Sequence, residues 1–298
     1  MKKIPVGTTI AHGYRFAFHD FLAILRGIWL PLAVQLGLTV YLLRHAIPLL
    51  RALENRDPAA MSLLGPLLLL YPVIIILFLA QITTVIQMAL GERQQTPLID
   101  FPFGKDMWRL MAGYVVAILA VIALVLAFAI IMALMGFALG AMGTGKTLLT
   151  LLAGIAILIG YGGAIFAIFR FMFLLAPINV AERQLGIVRA WQLSQGNFWR
   201  IFLIMLAIVI PMAVVEYGVI FAAIGLPPWP HGEGPQAFQA KRMEWNIAMM
   251  QAMVDYWYFA LPLIAVLMVI YLGTTCAAQV FAYRSLTEEM MSAPVAAD

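Results

Sequence analysis

An all-α integral membrane fold is predicted by three features of the sequence: too few charges for a water-facing surface, six long apolar runs, and a recurring aromatic and basic anchor before those runs. Of the 298 residues, 64% are apolar and only 11% are charged, with a mean hydropathy of +0.98. A soluble domain keeps about a quarter of its residues charged, so a water-soluble globule is excluded. The whole chain, 1–298, reads as a single polytopic membrane domain. Its six transmembrane helices form three pseudo-repeated helical hairpins accompanied by interfacial amphipathic helices.

The spans fall at about 21–43, 63–90, 110–139, 148–176, 201–224 and 257–282. Each exceeds the roughly 20 helical residues that cross about 30 Å of hydrocarbon. Pro31, Pro66, Pro72, Pro211 and Pro262 interrupt them, which predicts kinks whose freed carbonyls neighbouring helices satisfy. Lys2 and Lys3 precede the first span, but Pro5, Arg15, His19 and Asp20 intervene and no small-residue cleavage motif follows, so no cleaved leader is expected. Counting Arg26 and Arg170, which lie near the cytoplasmic ends of their spans, twelve of the 18 Lys and Arg residues fall on the side of the N-tail, second loop, fourth loop and C-tail. By the positive-inside rule both termini are expected in the cytoplasm.

The repeat is carried by two anchors. The second span runs into Gly91-Glu92-Arg93-Gln94 and the third opens at Trp108-Arg109; the fourth runs into Ala181-Glu182-Arg183-Gln184 and the fifth opens at Trp199-Arg200. A fainter version, Phe21 to Arg26 followed by Trp29, opens the chain. Trp rests at the headgroup level and Arg snorkels to lipid phosphate, so such segments fix where a hairpin enters the bilayer. Within the fourth loop Ile187, Val188, Trp191 and Phe198 share one side of a helical projection, whereas Glu182, Arg189 and Gln192 lie away from it. This pattern predicts a helix lying in the interface. Beyond anchoring, Glu182, Arg183, Arg189, Trp199 and Arg200, with Trp108 and Arg109, form a candidate lipid-headgroup or partner surface.

Two intramembrane charges are candidate functional groups. Glu216 lies 15 residues into the fifth span, about 22 Å along a helix. A carboxylate at such depth needs a partner, carries a proton, or lines a wet cavity. Gln35, Gln81 and Gln279 are candidate partners. Arg170, near the cytoplasmic end of the fourth span, is within snorkelling reach of the headgroups; pairing and substrate binding are the other readings. The outer loop 225–256 opens with Leu226-Pro227-Pro228-Trp229-Pro230-His231-Gly232 and continues as an amphipathic helix with Met243, Ile247, Met250 and Val254 on one face.

Other motifs carry less. Gly140 to Thr147 matches the phosphate-loop pattern G-x-x-x-x-G-K-T, yet it joins two apolar spans rather than following a strand in a soluble α/β domain. A tight hairpin turn is expected there, and no nucleotide. Gly136 and Gly140, and the series Ala156, Gly160 and Ala164, place small residues every four positions, favouring close helix packing. Cys276 stands alone and the four histidines have no ligand spacing. Met249, Met250 and Met253 near His231 are soft copper donors in principle, but methionine is also a common apolar filler. No metal, no cofactor and no nucleic-acid partner is assigned.

The segment from Phe169-Arg170-Phe171 through Ala176-Pro177 and Glu182-Arg183 to Ala190-Trp191-Gln192-Leu193-Ser194-Gln195-Gly196-Asn197-Phe198-Trp199-Arg200 resembles the six-span membrane domain attached to some bacterial glycerophosphodiester phosphodiesterases and to related stand-alone bacterial membrane proteins. The close likeness covers roughly 35 residues. It implies a bacterial inner-membrane protein serving lipid or envelope homeostasis. The phosphodiesterase chemistry does not carry over, because it belongs to a soluble barrel for which this chain has no segment. No Ser/His/Asp group, carboxylate pair or metal set gathers at one depth. The expectation is a non-enzymatic protein that binds membrane lipids, a second copy of itself or a membrane-protein partner. The rival reading is a transporter or channel for a small solute or amphiphile, proton-coupled through Glu216.

Overall fold

Backbone groups in hydrocarbon must find their hydrogen bonds within the protein, so long apolar runs become helices. The computed structural model describes residues 3–54, 60–93, 103–141, 146–228 and 234–292. Among these residues there are nine helices and no strand: α1 (Val6–His19), α2 (Phe21–Glu54), α3 (Ala60–Leu90), α4 (Lys105–Ala141), α5 (Lys146–Ala181), α6 (Ile187–Leu193), α7 (Phe198–Ile224), α8 (Pro235–Asp255) and α9 (Trp257–Ser292). Six of them (α2, α3, α4, α5, α7 and α9) are long and apolar enough to cross a membrane. The chain is a multi-pass helical membrane protein.

The helices outrun the apolar stretches that predict them. α2 continues to Glu54 and α9 to Ser292, where polar residues keep helical geometry past the hydrophobic run. Gln94, the central residues 142–145 of the Gly140 to Thr147 motif, and residues 229–233 of the outer loop, His231 among them, lie outside the described residues. What is described of the phosphate-loop look-alike ends α4 and opens α5; helix precedes it, not the strand that such a loop follows.

The chain divides into two compact units. The first comprises 1–9, 104–204 and 278–298. In it α4 and α5 pack antiparallel, since Gly113 meets Asn179 while Gly160 meets Phe128. A Cβ at Gly160 would stand 2.8 Å from Phe128 Cε1, and one at Gly113 would overlap the Asn179 amide. Glycine is needed at both positions for the approach itself. Gly136, by contrast, faces open space. The buried core of this unit gathers around Met107, Leu110, Leu174, Leu175, Ile178 and Ile201.

The second unit comprises 10–103 and 205–277. Here α2 and α3 are antiparallel: Gln81 Nε2 donates to Gln35 Oε1 near one end of the pair, and Leu49 clusters with Leu67 near the other. α8 packs on α2. α1, which no apolar run announces, lies where Ala17 and Ile24 approach Gly273 of α9; a Cβ there would stand 2.9 Å from Ile24 Cδ1 and 3.0 Å from Ala17 Cβ. The Tyr14 hydroxyl donates to the Ala207 carbonyl at 3.0 Å. Pro211 has no N–H with which to reach that carbonyl four residues back, so a side chain from another helix supplies the missing donor. Burial pushes the Tyr14 phenol above its ordinary pKa.

Candidate functional site

The junction between α5, α6 and α7 holds most of the residues singled out by the sequence, and most are bonded to one another. Arg170 projects from α5 onto α6. Its Nη2 donates to the Trp191 carbonyl at 2.9 Å, its Nε donates to Ser194 Oγ at 3.2 Å, and the guanidinium lies 3.5 Å from the Trp191 ring centroid. Ser194 Oγ donates in turn to the Trp191 carbonyl at 2.9 Å. A planar guanidinium satisfies this combination of fork and stack, whereas an ammonium does not. The side chain turns inward to hold the following turn, and the snorkelling reading does not describe it.

The chain leaves α5 through Glu182, whose Oε1 lies 3.7 Å from Arg189 Nε and accepts from the Tyr283 hydroxyl at 3.0 Å, while its Oε2 accepts from Gln184 Nε2 at 2.6 Å. Asn179 Oδ1 accepts from the Gly186 backbone N–H at 2.8 Å. A Cβ at Gly186 would overlap Ile178 Cγ2; its φ of −85° is ordinary, so space alone requires glycine. Gly196, at φ 71°, makes the left-handed turn between α6 and α7. Next to it, Asn197 Oδ1 accepts from the Ile4 N–H at 3.0 Å and Arg200 Nη1 donates to the Ile4 carbonyl at 2.7 Å. The spacing Ala190, Ser194, Gly196, Arg200 therefore has a structural cause. Ala190 and Ser194 are buried, Gly196 turns, and Arg200 ties down the start of the chain.

Arg109 pairs with Asp106 at 3.0 Å one helical turn away. Arg183, at φ 53°, is exposed, and no hydrogen bond or ion pair reaches it among the described residues. Trp108 and Trp199 present their rings outward. Of the seven residues proposed as a headgroup or partner surface, Glu182, Arg189, Arg200 and Arg109 thus have protein partners, and Arg183, Trp108 and Trp199 face out. Asn179, Ser194, Asn197 and Tyr283 escaped notice as site residues because isolated polar side chains leave no periodic trace.

Glu216 lies elsewhere, in the second unit. A groove of about 680 Å³ runs between α7, α8 and α9. Its lining includes Glu216 with Met212, Met253, Tyr256, Leu267 and Tyr271, and is otherwise apolar. Among the described residues that line it, Glu216 alone is charged. The carboxylate is exposed to the groove, and no hydrogen bond or ion pair reaches it among the described residues. Gln81, one candidate partner, bonds Gln35 instead. α7 ends and α9 begins at α8, so distances along both helices are reckoned from that end. Glu216 is eight residues in, about 12 Å, and Tyr271 is fourteen residues in, about 21 Å. Of the α8 residues, Ile247 is buried and Met243, Met250 and Val254 are half-buried.

Among the described residues no three His, Cys, Asp or Glu side chains gather as a metal set. No family model, no curated protein and no solved structure matches this chain.

Proposed function

We propose that this chain is a non-enzymatic protein of a bacterial inner membrane, both termini cytoplasmic, that binds a lipid-like amphiphile in the groove between α7, α8 and α9. The observation that carries this reading is the groove itself. Its volume lies within the roughly 300–1,000 Å³ of small-molecule sites, and an apolar wall with a few polar groups is the usual composition of such a site. The excess of Lys and Arg on one set of loops supports the orientation. The resemblance to the six-span membrane domain attached to some bacterial glycerophosphodiester phosphodiesterases supports the compartment and a role in lipid or envelope homeostasis. In this arrangement Trp108, Trp199 and Arg183 anchor the hairpins at the headgroups, α6 lies in the interface, and the network around Arg170 keeps the junction rigid.

The test is photocrosslinking in native membranes with an uncharged fatty alcohol carrying a diazirine. Crosslinks are expected at Met212 or Met268, and Ala213→Trp, which fills the groove, is expected to remove them. Crosslinks spread evenly over the lipid-facing surfaces of all six spans, unaffected by Ala213→Trp, would defeat the reading.

One observation favours transport as a second reading. Two of the three helices that wall the groove carry an internal proline, Pro211 beside Met212 in α7 and Pro262 beside Leu263 in α9. Such positions allow a helix to bend, and an intramembrane carboxylate is a means of coupling bending to a proton. Glu216→Gln then abolishes flux in proteoliposomes while groove binding of an uncharged probe persists.

A further inference from the structure

We infer that the groove is selective for a lipophilic monovalent cation, an apolar body with one embedded positive charge and no anionic group, and that Glu216 is the residue that recognises it. The inference rests on the groove being a binding site, as proposed above, and adds the charge and shape of what it takes.

The argument is one of complementarity. A carboxylate facing an apolar wall, with no protein cation pairing it among the described residues, leaves a negative charge whose natural counterpart is brought by a ligand. Among the described residues no Lys, Arg or His belongs to the lining. A zwitterionic or anionic phospholipid would set its phosphate against this wall without a partner, so the bilayer's own lipids are disfavoured by the same charge that attracts a cation. Glu216 also sits within the groove and not at its rim. Val209 and Leu267 continue the apolar wall deeper in, while Met249, Met253 and Phe259 line it toward α8. A ligand filling the space therefore needs apolar groups on both sides of its charge, which a lipid with a terminal headgroup lacks. Tyr256 and Phe259 add aromatic faces to the lining, and a diffuse, weakly hydrated cation is drawn to such rings.

Tetraphenylphosphonium and tetraphenylborate have nearly the same size and shape and opposite charge, so together they isolate the electrostatic contribution. Equilibrium dialysis with the full chain in phosphatidylcholine nanodiscs is expected to show saturable binding of tetraphenylphosphonium, one per chain, above the level in empty nanodiscs. Tetraphenylborate is expected to show none. Glu216→Gln should weaken the cation about tenfold or more, in line with loss of a close desolvated charge partner, and Glu216→Asp should keep most of the affinity. Melting temperatures of the variants within the spread of the parent would exclude a folding defect. Equal affinity for triphenylmethanol and tetraphenylphosphonium, or an unchanged affinity in Glu216→Gln, would overturn the inference while leaving the groove as a site. Saturation by none of the three probes, together with fatty-alcohol crosslinks insensitive to Ala213→Trp, would remove the site as well.

Discussion

Arg170 shows how a charge near a span end can serve the protein rather than the lipid. Its position alone is compatible with snorkelling, and only the partner 21 residues away at Trp191 turns it inward. Such a partner is a tertiary fact with no local signature. Two hydrogen bonds from a charged donor and a close ring stack are together worth about 2–4 kcal/mol. Arg170→Met is therefore expected to lower stability by about that amount, read as a fall in melting temperature in detergent. Arg170→Lys should recover less than half of the loss, because an ammonium cannot serve both oxygens and the ring face together. Full recovery by lysine would mean that charge alone matters at this position. Glu216 is the opposite case. Sequence placed a carboxylate inside a span and left open whether a glutamine, a proton or a cavity accompanies it; the groove is what the helices add.

At the scale of elements, the spans were legible because about 20 consecutive apolar residues have few other fates. Their ends were less so. α2 and α9 keep helical geometry through Arg51 and Thr287, where hydropathy has already fallen. α1 was missed because Val6 to His19 mixes Thr, His, Gly and Arg with its apolar residues. The available signals were boundary ones: Pro5 standing just before α1 and Asp20 just before α2. The pairing of Tyr14 with the carbonyl freed by Pro211 yields a prediction at this scale. Tyr14→Phe leaves the Ala207 carbonyl unpaired and is expected to cost about 1–2 kcal/mol. In a Pro211→Ala background, where residue 211 regains its N–H, the same change should cost well under half as much. Equal costs in the two backgrounds, measured by thermal unfolding, would show that the hydroxyl does not compensate for the proline.

For the molecule as a whole, composition decided the solvent and charge distribution predicted the orientation, but neither indicated which residues face one another. The conspicuous anchors led to a headgroup surface around Glu182, Arg189 and Arg200, and the structure engages those three with Tyr283, with one another and with Ile4. The junction is thereby better suited to holding the chain in place than to receiving a ligand. The space for a ligand lies instead between α7, α8 and α9, whose lining residues are scattered from Val209 to Tyr271 and leave no motif. The most direct test of that assignment is thiol accessibility at position 216, with Glu216→Cys in a Cys276→Ser background and a membrane-impermeant reagent applied to spheroplasts. Rapid labelling, slowed by tetraphenylphosphonium, is the result expected of a solvent-reachable binding groove; folded protein that stays unlabelled would contradict it.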